Sequence, residues 1–586
     1  MFKERITKTQ EFMKDRNIDF LLIPTNDYHN SEYIPEYFKI RVFLSGFTGS
    51  AGTLLIAKES AYLWTDGRYF IQAEKQLAGS GIQLMKMGQE GVPTVSEFFK
   101  KELTEGKTLA FDGKLVNVAN AENYKKIAEK NKAEVSPNVD FINEIWTDRP
   151  NMPKDKIFTL DKSITGEDKE SKIEKIRKEM KKNECDYFVD NDLTCICHTL
   201  NIRGNDIKCV PVVLSYMVIS MDETILFTDT SKISEPLDGV TVKDYENIYT
   251  YFDDIKDKSI QIDPSSMNYT LFDSMQKNNE VKKIDSPIYL MKAIRNEKQL
   301  ENIRKAHVAD AVAMINFMYE LKNDKLNDID EVQVDELLTK YRKDQGAFEN
   351  SFDTIAGYKE NAALMHYKAN KETCKKIGNS GMLLIDSGGQ YMTGTTDTTR
   401  TFIMGDISDE ERTSYTLVLK SVIALSKQKF LYGCTGLTLD ILARQFLWNQ
   451  NMDYQCGTGH GVGHILGVHE GPHGFRWKSK PGVNEQAYLE KGMTITVEPG
   501  VYINGKYGIR TENELIVKEG VKNEYGQFME FETMTYTPID LDGINYSMLS
   551  EEEKNWMKEF NTNCYENTKE FLSKEVANWM KEYLSL

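Results

Sequence analysis

The most informative stretch of the chain is residues 382–404, MLLIDSGGQYMTGTTDTTRTFIM. An apolar strand leads into Asp386, and the following Gly388-Gly389 pair permits a turn. A threonine-rich strand then returns past Asp397, 11 residues after the first aspartate, which predicts a hairpin with the two carboxylates side by side. Carboxylates that close raise each other's pKa unless a cation lies between them. A surface turn with incidental aspartates is the alternative that this stretch alone leaves open.

Two strands further along the chain carry more acidic residues. The alternating strand in TITVEPG, from Thr494, ends at Glu498, where a proline and a glycine stop strand pairing. In GIRTENELIV, the two-residue period of a strand places three polar side chains on one face: Arg510, Glu512 and Glu514. A polar row on a strand is usually its solvent face, so an exposed surface is the alternative reading of this segment.

Histidines are concentrated in the run CGTGHGVGHILGVHEGPHG, which holds half of the chain's eight: His460, His464, His469 and His473. Such clustering indicates a metal site. Residues 469–473 match the H-E-x-x-H pattern of zinc proteases literally, but that pattern works only on a helix. Pro472 lacks the backbone N–H and Gly471 weakens a helix further, so we expect no single-helix zinc site here.

Two aspartates, one histidine and two glutamates on these strand-like segments together form a carboxylate-rich set. Four carboxylates carry a charge that two divalent cations balance. Oxygen-rich ligation with one imidazole suits Mn²⁺ or Co²⁺, and Zn²⁺ also fits. Two ions about 3.5–4 Å apart deprotonate a shared water and polarise a scissile carbonyl, so the set predicts a dinuclear hydrolase.

Two proline-marked junctions divide the chain, one at residues 147–156 and one near Ser286-Pro287. Each of the first two segments opens with a charged amphipathic helix and a short strand, followed by a glycine-containing turn. This similarity predicts an internal duplication of a small α/β domain. The third segment begins with a long helix around Glu297, and a helical tail follows Ser550.

Six strings in order carry a resemblance to a known family: IDSG, TTDTTR, GTGHGVG, VHEGP, VEPG and GIRTEN. The chain resembles the pita-bread metallopeptidases over nearly its whole length, and most closely the three-domain cytosolic type of Xaa-Pro aminopeptidase (aminopeptidase P). The resemblance implies an α/β (α+β) fold in which creatinase-like domains at 1–150 and 156–288 precede a pita-bread catalytic domain at 291–545. A helical tail at 546–586 would pack on the catalytic domain.

The resemblance also implies which residues form the carboxylate-rich set and how each would bind metal: Asp386, Asp397, His460, Glu498 and Glu512. Asp397 and Glu512 would bridge both metal ions, and Asp386 would hold one of them. His460 and Glu498 would hold the other ion. Glu498 also matches the family's general base and proton carrier.

Residues around the metals are implied by the same resemblance. His366 in LMHY and His469 in VHEGP match histidines that contact the substrate. Phe352 matches an aromatic side chain lining the site, and Arg510 is expected to orient the metal-binding carboxylates. Arg68 in WTDGRYF matches an arginine that reaches the substrate from the N-terminal domain.

One position departs from the family pattern. Many relatives have a histidine four residues before the metal-binding histidine, where this chain has Cys456. A thiol is smaller and a weaker donor, so we expect an altered substrate affinity more than altered metal binding. His464 is predicted to have a structural role. His307 lies on the apolar row of a helix and is predicted to be a core histidine.

The implied activity is that of a proline-specific metalloprotease and hydrolase. It would cleave the N-terminal Xaa-Pro bond of peptides through a hydroxide that bridges two metal ions, with manganese as the expected metal. The enzyme would be a homodimer. A prolidase acting on Xaa-Pro dipeptides is one alternative. A non-catalytic pita-bread binding protein and a metal-free creatinase are others, although retention of the five ligands argues against both.

Composition excludes several classes of protein. The formal net charge of −17 at pH 7 repels nucleic acid and anionic lipid. The N-terminal residues lack the apolar stretch of a signal peptide, and no apolar run approaches the ~18 residues needed to span a bilayer. The eight cysteines are scattered and do not form a disulfide framework. We therefore expect a cytoplasmic protein that binds neither nucleic acid nor membrane.

Overall fold

The computed structural model describes residues 1–323, 326, 328–478 and 487–586. The chain forms two compact units. The first consists of Met1–Asp161 and Glu167–Ile288, and the second of Lys162–Gly166 and Tyr289–Leu586. The two segments predicted as separate N-terminal domains thus lie within one compact unit. The predicted helical tail lies within the other.

Residues 1–287 alternate short strands with helices. The strands are β1 Phe20–Pro24, β2 Thr53–Ala57, β3 Ala61–Thr65, β4 Ile82–Lys86, β5 Thr108–Phe111, β6 Glu134–Ser136, β7 Phe158–Thr159, β8 Tyr187–Asp190, β9 Ile202–Arg203, β10 Tyr216–Ser220, β11 Thr224–Thr228, β12 Thr241–Asp244, β13 Ser259–Ile262 and β14 Glu280–Lys283. The helices are α1 Phe2–Asp15, α2 Ile40–Ser45, α3 Phe70–Leu77, α4 Val95–Glu102, α5 Val118–Asn131, α6 Ile142–Ile145, α7 Lys162–Thr165, α8 Lys169–Lys182, α9 Leu193–Leu200, α10 Ile248–Tyr251 and α11 Tyr269–Gln276.

Two sheets of the first unit share one strand order, β4-β3-β2-β1-β5-β6 and β12-β11-β10-β8-β13-β14. In each sheet a central strand pairs antiparallel with one neighbour and parallel with the other: β1 with β2 and β5, and β8 with β10 and β13. The helix before each central strand buries apolar side chains, Phe12 and Met13 in α1 and Ile176 and Met180 in α8. The predicted duplication is confirmed.

From residue 288 onward the described chain mixes longer helices with strands. The strands are β15 Glu349–Asn350, β16 Ile355–Tyr358, β17 Met382–Ser387, β18 Gly389–Tyr391, β19 Gly394–Thr395, β20 Thr398–Ile403, β21 Phe430–Leu431, β22 Gly459–Gly461, β23 Glu470–Phe475, β24 Thr494–Val497, β25 Gly500–Ile503, β26 Tyr507–Arg510, β27 Asn513–Asn523 and β28 Gly526–Thr533. The helices are α12 Ile288–Ala293, α13 Glu297–Lys322, α14 Glu331–Asp344, α15 Asp409–Ser426, α16 Gly436–Leu439, α17 Ile441–Trp448, α18 Glu551–Thr568 and α19 Lys574–Tyr583.

The strands of the second unit form several sheets within the described residues. The largest has the order β21-β28-β27-β24-β22-β23, and β16-β17-β20 and β15-β18-β19 form smaller sheets. Strands β25 and β26 pair as a separate hairpin. The acidic and histidine segments of the sequence lie in, or at the ends of, strands β17, β20, β22, β24 and β26.

Helix α13 begins where the sequence predicts a long helix. The Asn296 side chain accepts a hydrogen bond from the Gln299 backbone N–H, and Gln299 Oε1 accepts one from the Asn296 backbone N–H. The predicted row of α13, including His307, is buried. The tail after Ser550 is helical, as predicted: Ser550 and Glu553 form a capping box at the start of α18, and Val576 and Met580 of α19 pack in the core of the second unit.

The predicted hairpin forms, but not through a turn at Gly388-Gly389. Strands β17 and β20 pair antiparallel, with Asp386 opposite Thr399. Between them the chain makes a further small hairpin, β18 with β19. Glycine is required at position 388 because a Cβ there would lie 1.9 Å from the Thr396 carbonyl oxygen. The close approach of two backbones, rather than a turn, explains this residue.

Candidate metal centre

The β17–β20 pair brings the two aspartates together. Asp386 lies near the end of β17, and Asp397 immediately precedes β20. Since Ser387 pairs with Thr398, both carboxylates lie at the same end of the pair. The two aspartates are buried, with 8% and 4% of their surface exposed. The alternative of an exposed turn with incidental aspartates is therefore excluded.

His460 and Glu498 reach the same region from β22 and β24. The backbone N–H of His460 donates to Thr496 Oγ1 (3.2 Å), and that of Glu498 donates to the Thr458 carbonyl (2.7 Å). These bonds fix the two segments against each other. His460 Nε2 lies 3.5 Å from both Asp397 Oδ2 and Glu498 Oε1.

Glu512 completes the set from the link between β26 and β27. Its N–H donates to the Thr399 carbonyl (3.1 Å), and its Oε2 accepts from Thr399 Oγ1 (2.8 Å). One ligand atom from each of Asp397, His460 and Glu512 lies within 4.8 Å of the other two. Arg510, Glu512 and Glu514, the predicted polar row of this segment, are buried rather than solvent-facing. Glu514 accepts a hydrogen bond from buried His307.

The donor set fits divalent cations. Asp386 Oδ1 and Glu512 Oε1 are buried and accept no hydrogen bond from the described residues. A buried carboxylate oxygen without a donor is costly unless a cation satisfies it. Carboxylate oxygens with a single imidazole are the ligands expected for two hard or borderline divalent ions.

Electrostatics within the set supports the same reading. Burial raises the pKa of Asp397 well above its usual range, and the nearby carboxylates of Glu512 and Asp386 raise it further. Burial likewise raises the pKa of Glu512, helped by Asp386 and Glu498. The pKa of Glu498 is raised to about 7 by burial, although the Arg510 charge opposes that shift. Each shift reflects an unfavourable negative charge, which cations would relieve.

Arg510 connects the carboxylates to the strands behind them. Its guanidinium donates to Asp386 Oδ2 (2.6 Å), Thr399 Oγ1 (3.1 Å) and Tyr502 Oη (2.6 Å). Sequence reasoning missed Thr399 and Tyr502. Thr399 had a signal, since it lies two residues after Asp397 and therefore on the same face of an extended strand. Tyr502 had none, because only the packing of β25 against β26 brings it to Arg510.

Of the predicted substrate contacts, His469 packs directly against His460. Its exposed ring is perpendicular to that of His460, with centroids 4.3 Å apart. Buried Phe352 follows Ser351, whose Oγ donates to the Thr396 carbonyl beside Asp397 (2.7 Å). The His469 ring is thus held beside His460, and the contribution of Phe352 to the site stays a prediction.

The positions of His366 and Arg68 are described through the residues around them. Half-buried His366 lies in a turn after the 3-10 helix Lys359–Ala363. That helix packs on β26, since a Cβ at Gly508 would lie 1.8 Å from the Ala362 carbonyl oxygen. Arg68 belongs to the first unit, where it forms a bidentate pair with Asp66 at 2.8 Å. Its contact with a substrate stays a prediction.

The remaining residues of the histidine run have structural contacts. Residues 470–475 form strand β23, so the H-E-x-x-H match is not helical, as expected. His464 Nε2 bonds to the Thr393 carbonyl (3.2 Å). Burial raises the pKa of the Cys456 thiol to about 12, and the neighbouring Glu498 charge raises it as well. Cys456 is therefore a neutral thiol beside the metal-binding set.

Comparison with known proteins assigns the chain to a family. Residues 301–519 match Metallopeptidase family M24, and residues 527–585 match the C-terminal region of peptidase_M24. Residues 5–145 and 148–299 each match the Creatinase/Prolidase N-terminal domain. A probable Xaa-Pro aminopeptidase P of Laccaria bicolor is 37% identical over 592 residues, covering 97% of this chain and 91% of that protein. The chain belongs to the Xaa-Pro aminopeptidases of family M24.

Other relatives agree with this assignment. Xaa-Pro aminopeptidase 1 of Dictyostelium discoideum is 36% identical over 581 residues, covering 95% of this chain and 91% of that protein. The X-prolyl aminopeptidase of Caenorhabditis elegans, a cytosolic enzyme with a di-nuclear active site, is 31% identical with a TM-score of 0.94 and covers 100% and 99% of the two chains. The chain is accordingly a hydrolase, a metal-dependent aminopeptidase, and its predicted α/β fold class is confirmed.

Two further findings concern the fold and the helices. The prolidase of Pyrococcus horikoshii is 23% identical with a TM-score of 0.50 and covers 63% of this chain and 99% of its own, which shows a shared fold alone. Within the described part of the chain, no helix combines the length and the apolar character that crossing a bilayer requires.

Proposed function

We propose that this chain removes the first residue of peptides that have proline at the second position, using two divalent metal ions, with Mn²⁺ preferred over Co²⁺ or Zn²⁺. The observation that carries the proposal is the cluster of Asp397, His460 and Glu512, whose ligand atoms lie within 4.8 Å of one another. Buried oxygens of Asp386 and Glu512 that accept no hydrogen bond from the described residues support it. Asp397 and Glu512 would bridge the ions. Asp386 would hold one ion, and His460 with Glu498 would hold the other.

In the proposed mechanism, the ions activate water and the substrate, and the side chains transfer protons and donate hydrogen bonds. When bound, the ions supply a nucleophilic water at neutral pH and polarise the scissile carbonyl. Glu498 takes a proton and delivers it to the leaving nitrogen of proline. His366 and His469 donate hydrogen bonds to the carbonyl oxygen as it gains negative charge. The perpendicular packing of His469 on His460 supports this placement, because it holds the imidazole beside the ligand set.

A decisive experiment combines metal analysis with activity. The purified chain loaded with Mn²⁺ should cleave Arg-Pro-Pro between its first two residues, lose this activity on chelation and regain it on adding Mn²⁺. Asp397→Asn should abolish cleavage. Asp409→Asn, on the exposed first turn of α15, is the matched control and should be unaffected. Failure of the Mn²⁺-loaded chain to cleave any Xaa-Pro peptide would favour the non-catalytic alternative.

A prolidase is the second candidate, since the catalytic fold is shared. The two creatinase-like domains before the catalytic domain favour the aminopeptidase, because the prolidase match covers 63% of this chain. Turnover of Arg-Pro-Pro against Arg-Pro separates the two. Faster cleavage of the dipeptide would select the prolidase.

A cytoplasmic location and a homodimer complete the proposal. The homodimer comes from the family resemblance, and the location comes from the same resemblance together with the cysteine pattern. Light scattering on the purified chain tests the dimer, and fractionation of cells that express it tests the location. A monomer at micromolar concentration would contradict the first of these proposals.

A further inference from the structure

Glu331, the first residue of α14, carries a fully buried carboxylate. Its Oε1 accepts hydrogen bonds from the Tyr358 amide (2.7 Å) and from Asn361 Nδ2 (3.0 Å). Its Oε2 accepts from the Lys375 amide (2.8 Å), Tyr367 Oη (2.9 Å) and the same Asn361 Nδ2 (3.0 Å). The carboxylate is thus saturated by neutral donors that all come from residues 358–375.

This arrangement makes Glu331 the anchor of that segment. Burying a carboxylate is costly, so it is retained only where donors compensate it. The Glu331 amide also donates to the Lys375 carbonyl (3.1 Å), which closes the far end of the segment. From residue 364 to residue 375 the chain forms turns rather than helix or strand. Its conformation therefore depends on side-chain contacts more than on a backbone ladder.

His366 lies within the anchored segment. It directly precedes Tyr367, whose hydroxyl is held by Glu331 and also accepts from Asn361 (3.1 Å). On its other side the segment packs against β26 through Ala362 and Gly508. Strand β26 ends at Arg510, which bonds to Asp386. The segment is consequently fixed between Glu331 and the strand that leads to the ligand set.

We propose that Glu331 is a positioning residue that holds the 358–375 segment so that His366 meets the substrate. The proposal rests on the proposed function, in which His366 stabilises the carbonyl oxygen. Glu331 touches neither substrate nor metal; it acts through Tyr367 and His366. A displacement of about 1 Å in such a group costs on the order of 100-fold in rate, so a single buried carboxylate is sufficient to control turnover.

A double-mutant cycle tests the proposal. In Glu331→Gln the amide group presents N–H where donors already converge, so the segment must shift. We expect kcat for Arg-Pro-Pro to fall about 10- to 100-fold with KM changed less than about threefold, because the loss is in the transition state. In a His366→Ala background the same substitution should change kcat less than about threefold. An equal loss in both backgrounds would overturn the proposal.

A second readout does not depend on activity. In hydrogen exchange of the full chain, Glu331→Gln should speed exchange of amides in residues 358–376 and leave α15 unchanged. Tyr367→Phe, a milder variant, should produce the same pattern to a smaller degree. Tyr583→Phe, which loses a comparable bond to buried Asp540 (2.7 Å), is the matched control and should not alter the segment.

The two readouts separate the hypotheses. If the wild-type chain cleaves no Xaa-Pro peptide but the exchange pattern appears, the proposed function fails while Glu331 keeps its anchoring role. Unchanged exchange in both Glu331→Gln and Tyr367→Phe would overturn that role whatever the activity.

Discussion

Arg510 donates a hydrogen bond from Nη2 to Asp386 Oδ2 over 2.6 Å, although 124 residues separate the two in the chain. The same guanidinium is held by Thr399 and Tyr502. It therefore fixes one oxygen of Asp386 and leaves Oδ1 without a hydrogen bond among the described residues. In the proposed site, Arg510 would thereby orient this carboxylate toward a cation.

Arg510→Lys tests that relationship. A lysine cannot reproduce the planar fork, so Asp386 loses its orientation. We expect Mn²⁺ affinity, measured by calorimetry, to fall about 10- to 100-fold. Arg304→Lys is the control, since Arg304 pairs with partly exposed Glu532 (2.7 Å) away from the ligand set. Unchanged affinity in Arg510→Lys would contradict the orienting role.

Asp397→Asn should change stability in opposite directions with and without metal. In the metal-free chain it removes one of several mutually repelling buried carboxylates, so the melting temperature should rise. With Mn²⁺ at 100 times its wild-type dissociation constant, the wild type should gain about 2.7 kcal/mol of stability and the variant much less. Calorimetric melting with and without Mn²⁺ measures both effects. A metal-induced gain equal to that of the wild type would remove Asp397 from the ligand set.

A buried charge cluster supports the strand that follows His469. Glu470 pairs with Lys292 (3.0 Å) and with Arg295, whose Nη2 also donates to the Val462 carbonyl (2.6 Å). Glu470→Gln leaves two buried cations uncompensated, so we expect a loss of about 3–5 kcal/mol in the free energy of unfolding. Urea denaturation measures it.

Glu410→Gln is the control for that variant. Glu410 pairs with Lys506 at the surface (3.1 Å), and its loss should cost at most about 1 kcal/mol. Similar losses in the two variants would mean that the buried cluster contributes no more than an exposed ion pair.

Cys456 is expected to weaken substrate binding rather than metal binding. Cys456→His restores the donor that many relatives have, and one hydrogen bond of about 1 kcal/mol corresponds to a roughly fivefold lower KM for Arg-Pro-Pro. Cys456→Ser preserves the size of the side chain and serves as the control, with a KM close to that of the wild type. Metal content should be equal in all three proteins. A large change in metal content in either variant would contradict this assignment.

His29 should make the first unit sensitive to acid. Its Nδ1 lies 2.9 Å from the Asn191 carbonyl and its Nε2 lies 2.6 Å from Tyr245 Oη, which fits a neutral ring. Burial lowers the pKa of His29 to about 3. Below pH ~6.5 the unfolded chain binds a proton that the folded chain does not, so stability falls by about 1.4 kcal/mol per pH unit until pH approaches that lowered value.

His29→Gln isolates this contribution, because it keeps a side chain that both donates and accepts. Between pH 6.5 and pH 4 its unfolding free energy should decline less steeply than that of the wild type. Parallel declines would show that His29 is not the group that takes up the proton.

Local sequence was sufficient to predict several elements. The strings around Asp386 and Glu498 each place a carboxylate at the end of a strand, as predicted. The structure brings Asp397, His460, Glu498 and Glu512 together. The start of α13 was predictable because its cap involves residues three positions apart. The duplication was predictable because both copies repeat the same order of local patterns.

Other features depend on partners that are distant in sequence. The β18–β19 hairpin replaces the predicted turn because β15 pairs with β18. Tyr502 and Glu331 carry no local signal, since their roles arise from Arg510 and from residues 358–375.

The sequence by itself determined which residue types are available for a metal site, since carboxylate and imidazole side chains in ordered motifs are local properties, and the family resemblance of those motifs implied the members of the candidate set. Only the tertiary structure decided how that set is held: which oxygens keep a hydrogen bond, which remain for a cation, and which buried carboxylate anchors the segment of His366. Those outcomes depend on packing between strands and helices that lie far apart in the chain, and no short stretch of sequence encodes such contacts.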